Sequence, residues 1–215
     1  LTFTLIGGCL LWIGWFGFNA GSNLEANGLT ALAMINTAVA TAAAVLAWSF
    51  GEWVFRGHPS LLGGISGAIA GLVGITPAAG FVGPMGAIAI GLIAGFVCMW
   101  FVISLKSKIG IDDSLDVFGI HGIGGIIGAI LTGVFAAPSL GGGGVFDYST
   151  GAVGEFAMGS QVYAQTLGVV IALVWSGVVS FIAIHIVKAV IGLRVTDADE
   201  RQGLDVTTHG ENAYN

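Results

Sequence analysis

His121 stands in the stretch DDSLDVFGIHGIGGIIGAILTGVF, residues 112–135, with no charge and no strongly polar group for more than a dozen residues after it. An imidazole can donate or accept a hydrogen bond and changes charge near neutral pH, so it suits the passage of a proton or a small polar solute. An ionised group at mid-bilayer depth costs about 2.5 kcal/mol or more, so such a histidine is expected to stay neutral and to face an interior path or partner. The competing reading is a buried histidine hydrogen-bonded to a neighbouring helix. A second constellation lies in LLWIGWFGFNAGS, residues 10–22, where Phe18 and Ser22 are one helical turn apart and share a face. An aromatic face attracts a cation by about 0.5–2 kcal/mol, and a hydroxyl beside it can accept from an N–H donor. Taken alone, Phe18 reads as packing. Asp112, Asp113 and Ser114 stand where a helix N-cap belongs. Asp116 follows in the expected first turn, where negative charge suits the helix dipole, and is open to a structural hydrogen-bonding role or a direct role in conduction. From a helix start near Asp113, eight residues at about 1.5 Å each place His121 roughly 12 Å along its span.

The elements that must position these groups belong in a bilayer. Of the 215 residues 55% are hydrophobic and only 8% charged, and the mean hydropathy is +0.94, which excludes an ordinary soluble domain. The net charge of -6 argues against a nucleic-acid partner. Cys9 and Cys98 fall in separate apolar runs and fit no metal or redox spacing, so they read as buried free thiols, and no cofactor or enzymatic chemistry is implied. Six runs are long enough to cross a core of about 30 Å. They lie near residues 1–22, 29–50, 61–78, 84–105, 115–136 and 161–190. TPAAGFVGP, residues 76–84, separates the third and fourth with helix-breaking Pro77 and Pro84. Residues 137–160 read as a flexible Gly-rich connection, and the chain divides into a membrane region, 1–193, and a polar tail, 194–215.

Basic residues set the topology. Arg56 follows the second run, Lys106 and Lys108 the fourth, and Lys188, Arg194 and Arg201 lie at or after the end of the sixth, while the other loops have none. That alternation predicts six spans with both ends cytoplasmic. Glycines repeat four apart at Gly63, Gly67 and Gly71, at Gly124 and Gly128, and at Gly17 and Gly21, which predicts close helix packing.

WIGWFGFNAGS, SLLGGISGAIAGLVGITPAAGFV, DDSLDVFGIHGIGGIIGAILTGVFA and GLDVTTHGENAY resemble, in order and across essentially the whole chain, signatures of the ammonium transporter family, the Amt/Mep/Rh group, and most closely its bacterial Amt branch. The resemblance implies an all-α polytopic fold of eleven spans whose first five and next five form inverted repeats, with the six runs here matching spans six to eleven. On that reading the front half is missing, in keeping with a chain that opens at Leu1 inside apolar sequence. Carried over, His121 matches the second of two pore histidines, Phe18 one of two stacked gate phenylalanines, and Ser22 the hydroxyl of an external ammonium-recruitment site. Asp116 and Ser66 match positions near the cytoplasmic pore exit. His58, His185 and His209 match no pore position.

The function implied is ammonium or ammonia transport by a homotrimer in the cell's inner (plasma) membrane, with a cytoplasmic C terminus and a PII-type regulator as a further partner. Two alternatives stand beside it. A channel for another small neutral solute would not need the Phe18/Ser22 cation site together with His121. An ammonium sensor would carry an output module, and this reading expects only a short acidic tail.

Overall fold

Short polar signals set where the helices begin and end. Asn27 starts α2, Gly28–Arg56, its side chain accepting from the Leu29 and Thr30 N–H groups at 2.9 and 3.2 Å. Ser60 starts α3, Leu61–Ile75, by accepting from Gly63 N at 2.9 Å. Ser60 is itself held by the buried Glu52 carboxylate, which accepts from its N–H at 2.8 Å and its hydroxyl at 2.9 Å. Pro84 opens α4, Pro84–Trp100, where its missing N–H has no helical partner to lose. The other helices are α1, Thr2–Asn19, the short α5, Lys106–Ile109, α6, Ile123–Phe135, α7, Met158–Val190, and α8, Asp197–Gln202. A π-turn, Phe101–Leu105, joins α4 to α5, and another, Phe118–Gly122, leads into α6.

This computed structural model describes residues 1–147 and 149–212, so the end of GLDVTTHGENAY lies outside the described residues. The chain is an all-α polytopic membrane protein. Among the described residues five helical segments are long and apolar enough to cross a membrane: Thr2–Asn23, Gly28–Arg56, Pro84–Ile109, Phe118–Phe135 and Met158–Val190. The third expected run is shorter than the rest. Its helix has 15 residues, which at 1.5 Å each is about 22 Å against a core of about 30 Å. It stops before Pro77, and the Thr76 hydroxyl turns back to the Leu72 carbonyl at 2.7 Å.

The chain divides into two compact units, residues 1–169 and 170–215, with α7 beginning in the first. In the first unit α3 and α4 both pack on α2. Glycine is what lets them approach: a Cβ on Gly71 would meet the Thr41 Cα at 2.7 Å, and one on Gly95 the Ala44 Cα at 2.8 Å. The Gly63, Gly67 and Gly71 ridge therefore lies against α2 as expected, and Gly128 meets the backbone of Gly74. Gly17 and Gly21 differ, since a Cβ on either would meet no atom within 4 Å. One core cluster gathers Trp48, Leu72, Cys98, Met99 and Ile120, and another Ala40, Ile75, Val82 and Ile90. Cys98 is buried but Cys9 is exposed, contrary to the expectation that both are buried. Asn36 sits wholly buried in α2 and donates to the carbonyls of Ala79 and Val82, both at 2.8 Å, which pins the turn between α3 and α4.

The connection read as a flexible Gly-rich stretch contains a two-stranded antiparallel hairpin, β1 Phe146–Asp147 on β2 Ala152–Val153. Gly143 N also donates to Phe81 O at 2.9 Å, tying this segment to the α3–α4 turn. In the second unit, Thr196 caps α8 through Asp199 N at 3.2 Å, and Arg194 bonds both Glu200 oxygens at 2.8 Å.

Candidate functional site

The face of α1 that carries Phe18 is continued by residues one turn away on either side. Ser22 lies in a 3-10 turn, Gly21–Asn23, just past the end of α1, and its hydroxyl donates back to the Phe18 carbonyl. A hydroxyl whose hydrogen is committed in this way offers lone pairs, the complement of an N–H cation. Phe18 is 62% exposed, so this chain does not bury it as core. On the other side stands Trp15, which residue type alone does not single out. Its ring centroid lies 5.7 Å from that of Phe18 and 6.3 Å from that of His121, tilted 32° to the imidazole. It links two constellations that are separate in the sequence. The available signal is spacing: Trp15, Phe18 and Ser22 fall at i, i+3 and i+7, one helical face.

His121 reaches this place from a later helix start than the acids suggest. Residues 113–116 form a turn, closed by the Asp116 N–H on the Asp113 carbonyl at 3.1 Å, in which Asp116 adopts a left-handed φ of 58°, and His121 is the fourth residue of the π-turn that follows. The expected depth of eight α-helical residues beyond Asp113 is therefore corrected. A π-turn is wider than an α-turn and recurs at functional sites. Phe118 packs against Phe101 of the other π-turn, with centroids 5.7 Å apart. Asp113 does cap this helix, its Oδ2 accepting from Gly119 N at 3.0 Å. Partial burial opposes its ionisation, but the N–H groups of Gly119, Phe118 and Val117, with Lys106 nearby, hold its carboxyl below the usual carboxylate range.

Asp116 lies ahead of the helix rather than in its first turn. Its carboxylate pairs with the Lys106 ammonium, which also donates to the Asp113 carbonyl at 2.9 Å. Lys106, a marker of topology in the sequence, thus also braces the turn before His121. Ser66, Asp116 and His121 line one cavity of about 480 Å³, walled also by Thr4, Gly8 and Leu11 of α1. Three of the five residues selected from the sequence thus share a cavity. Phe18 and Ser22 lie outside it, further along α1 beyond Trp15.

The sequence profile of the Ammonium Transporter Family matches residues 1–214. The chain belongs to the ammonium transporter family. Such proteins are transporters and not enzymes. Over 215 residues it is 48% identical to an ammonium transporter of Bacillus subtilis, covering 100% of this chain and 52% of that protein. An ammonium transporter of Aquifex aeolicus is 51% identical over 211 residues, 98% of this chain and 48% of the relative. The chain thus spans about half the length of these relatives. Among solved structures it is similar to Saccharomyces cerevisiae Mep2, with TM-score 0.77, 37% identity, and coverage of 87% of this chain and 44% of that one. It is also similar to a Sensor Amt Protein, with TM-score 0.81, 32% identity, and coverage of 95% and 48%.

The cap on the histidine-bearing helix of this ammonium transporter chain has a pH signature. A carboxyl whose folded-state pKa is depressed contributes stability above its unfolded pKa and loses it as pH falls through the folded value. Asp113→Asn should therefore melt below the parent at neutral pH, and the gap should close as the pH falls through the acid range. A gap that does not narrow on acidification would show that Asp113 acts through shape rather than charge.

Proposed function

We propose that this chain forms one wall of a pore conducting ammonium nitrogen across the membrane. The observation that carries the reading is an ordered path along α1: the acceptor hydroxyl of Ser22, the exposed face of Phe18, the Trp15 ring beside His121, then the cavity lined by His121, Ser66 and Asp116. Ammonium is drawn to Ser22 and the aromatic face. A full charge is costly in a narrow dry path, so ammonium gives its proton back to solvent at the outer mouth, near Phe18, and only ammonia goes on. Neutral ammonia passes Trp15 and exchanges hydrogen bonds with His121 before reaching the cavity, where Asp116 and Ser66 border the cytoplasmic exit.

Three supports stand behind the wider assembly: family membership, coverage of about half of each relative, and the placing of Lys and Arg in alternate loops. On this reading the spans, with α3 as the third, correspond to the second inverted repeat and last span of an eleven-span trimer in the inner (plasma) membrane. The C terminus faces the cytoplasm, within reach of a PII-type regulator. A sensing role is the second reading, favoured by the similarity to a Sensor Amt Protein.

Half of an inverted repeat supplies one wall of the path, so the chain alone should not transport. Co-produced with the complementary half of an ammonium transporter and placed in liposomes, it should give ammonium-evoked flux. Flux from the chain alone, or ammonium binding without flux from the pair, would sink the pore reading; the second outcome would favour a sensor.

A further inference from the structure

Thr76 lies at the end of α3, outside the residues assigned to the path, yet its hydroxyl oxygen accepts from the Trp15 indole N–H at 2.8 Å. The hydroxyl hydrogen is spent in turn on the Leu72 carbonyl at 2.7 Å, so the oxygen can face Trp15 only as an acceptor. We infer that Thr76 is a positioning residue, which fixes the Trp15 ring so that its apolar face, and not its N–H, is turned toward the route between Phe18 and His121. This rests on the pore reading above.

The chemistry explains why the orientation matters. An indole N–H is a donor only. Turned toward a dry path, it would donate to the lone pair of ammonia or hold a water there, and either would slow an uncharged solute. Turned away and occupied, it leaves a ring that pairs with both Phe18 and His121. Pairing is not the routine fate of an indole in this molecule, since the buried Nε1 atoms of Trp12 and Trp48 meet no acceptor among the described residues. Thr76 is also well placed to hold still: its Cβ is branched, and the bond to Leu72 ties it to the last turn of α3.

Thr76→Val keeps the shape and removes the acceptor, whereas Thr76→Ser keeps the acceptor. The indole N–H resonance of Trp15, assigned by its loss in Trp15→Phe, reads the hydrogen bond without reference to transport. Thr76→Val should shift that resonance and lower ammonium flux of the co-produced halves roughly five- to tenfold, the scale of one lost hydrogen bond. Thr76→Ser should keep both near the parent values. In a Trp15→Phe background, Thr76→Val should have no further effect on flux. An unshifted resonance, parental flux in Thr76→Val, or an equal loss of flux in the Trp15→Phe background would each overturn the assignment. If the parent pair carries no ammonium, the pore reading fails, while the resonance still decides whether Thr76 holds Trp15.

Discussion

His121→Ala is expected to cut the ammonium-evoked flux of the assembled halves by roughly tenfold, the upper scale of one lost hydrogen bond between neutral partners. Assembly should survive. The imidazole is exposed in this chain, and removing it breaks a ring pair with Trp15, worth about 0.5–1.5 kcal/mol. The cap on its helix comes from Asp113 and would remain. Flux and melting temperature should therefore separate, with a large fall in the first and a small shift in the second. Normal flux with normal selectivity would return His121 to a packing role.

Gly91→Leu should have the opposite profile, loss of the fold before any question of transport arises. A Cβ at Gly91 would run into the Ala40 carbonyl and come within 2.8 Å of the Ala40 Cα, and backbone cannot turn aside as a side chain can. Overpacking of a tight contact costs about 1–3 kcal/mol, and more where the helices themselves must part. The residues displaced include Ala40 and Ile90 of the core. In detergent, Gly91→Leu should aggregate or melt far below the parent, while Gly17→Leu in the same chain should not, because no atom lies within 4 Å of a Cβ there. Equal melting of the two variants would show that glycine packing does not hold α2 against α4.

The contrast between these glycines shows what a sequence can disclose. Spacing finds ridges, and the Gly63, Gly67 and Gly71 ridge does lie against α2. Spacing cannot say which ridge has a partner within the chain, and Gly17 and Gly21 have none within 4 Å. Gly91 and Gly95 carry the same spacing of four, and their neighbours are backbone atoms of α2. Hydropathy finds five long spans but overruns α3, because Thr76 and the residues after it are apolar enough to read as helix although Pro77 forbids its continuation. Asp113 is legible as a cap. The depth of His121 is not, since that cap reaches forward six residues to Gly119 across a turn with a left-handed Asp116. Phe18, Ser22 and His121 can be chosen by chemical type, but Trp15 is one of six tryptophans and is set apart only by what it touches.

The shortness of α3 has a consequence for how the protein feels the thickness of its bilayer. A long apolar helix facing lipid must tilt, bend or deform the membrane when thickness changes, at a cost of fractions of a kcal/mol per ångström. The 15-residue α3 has 11 buried residues and lies against α2 and α4, so protein rather than acyl chains surrounds most of its length. Thinning or thickening the bilayer should act on the 29-residue α2 and the 33-residue α7, and reach α3 only through its neighbours. Thr76, at the end of α3, is thereby sheltered from the lipid, and with it the ring it holds beside His121.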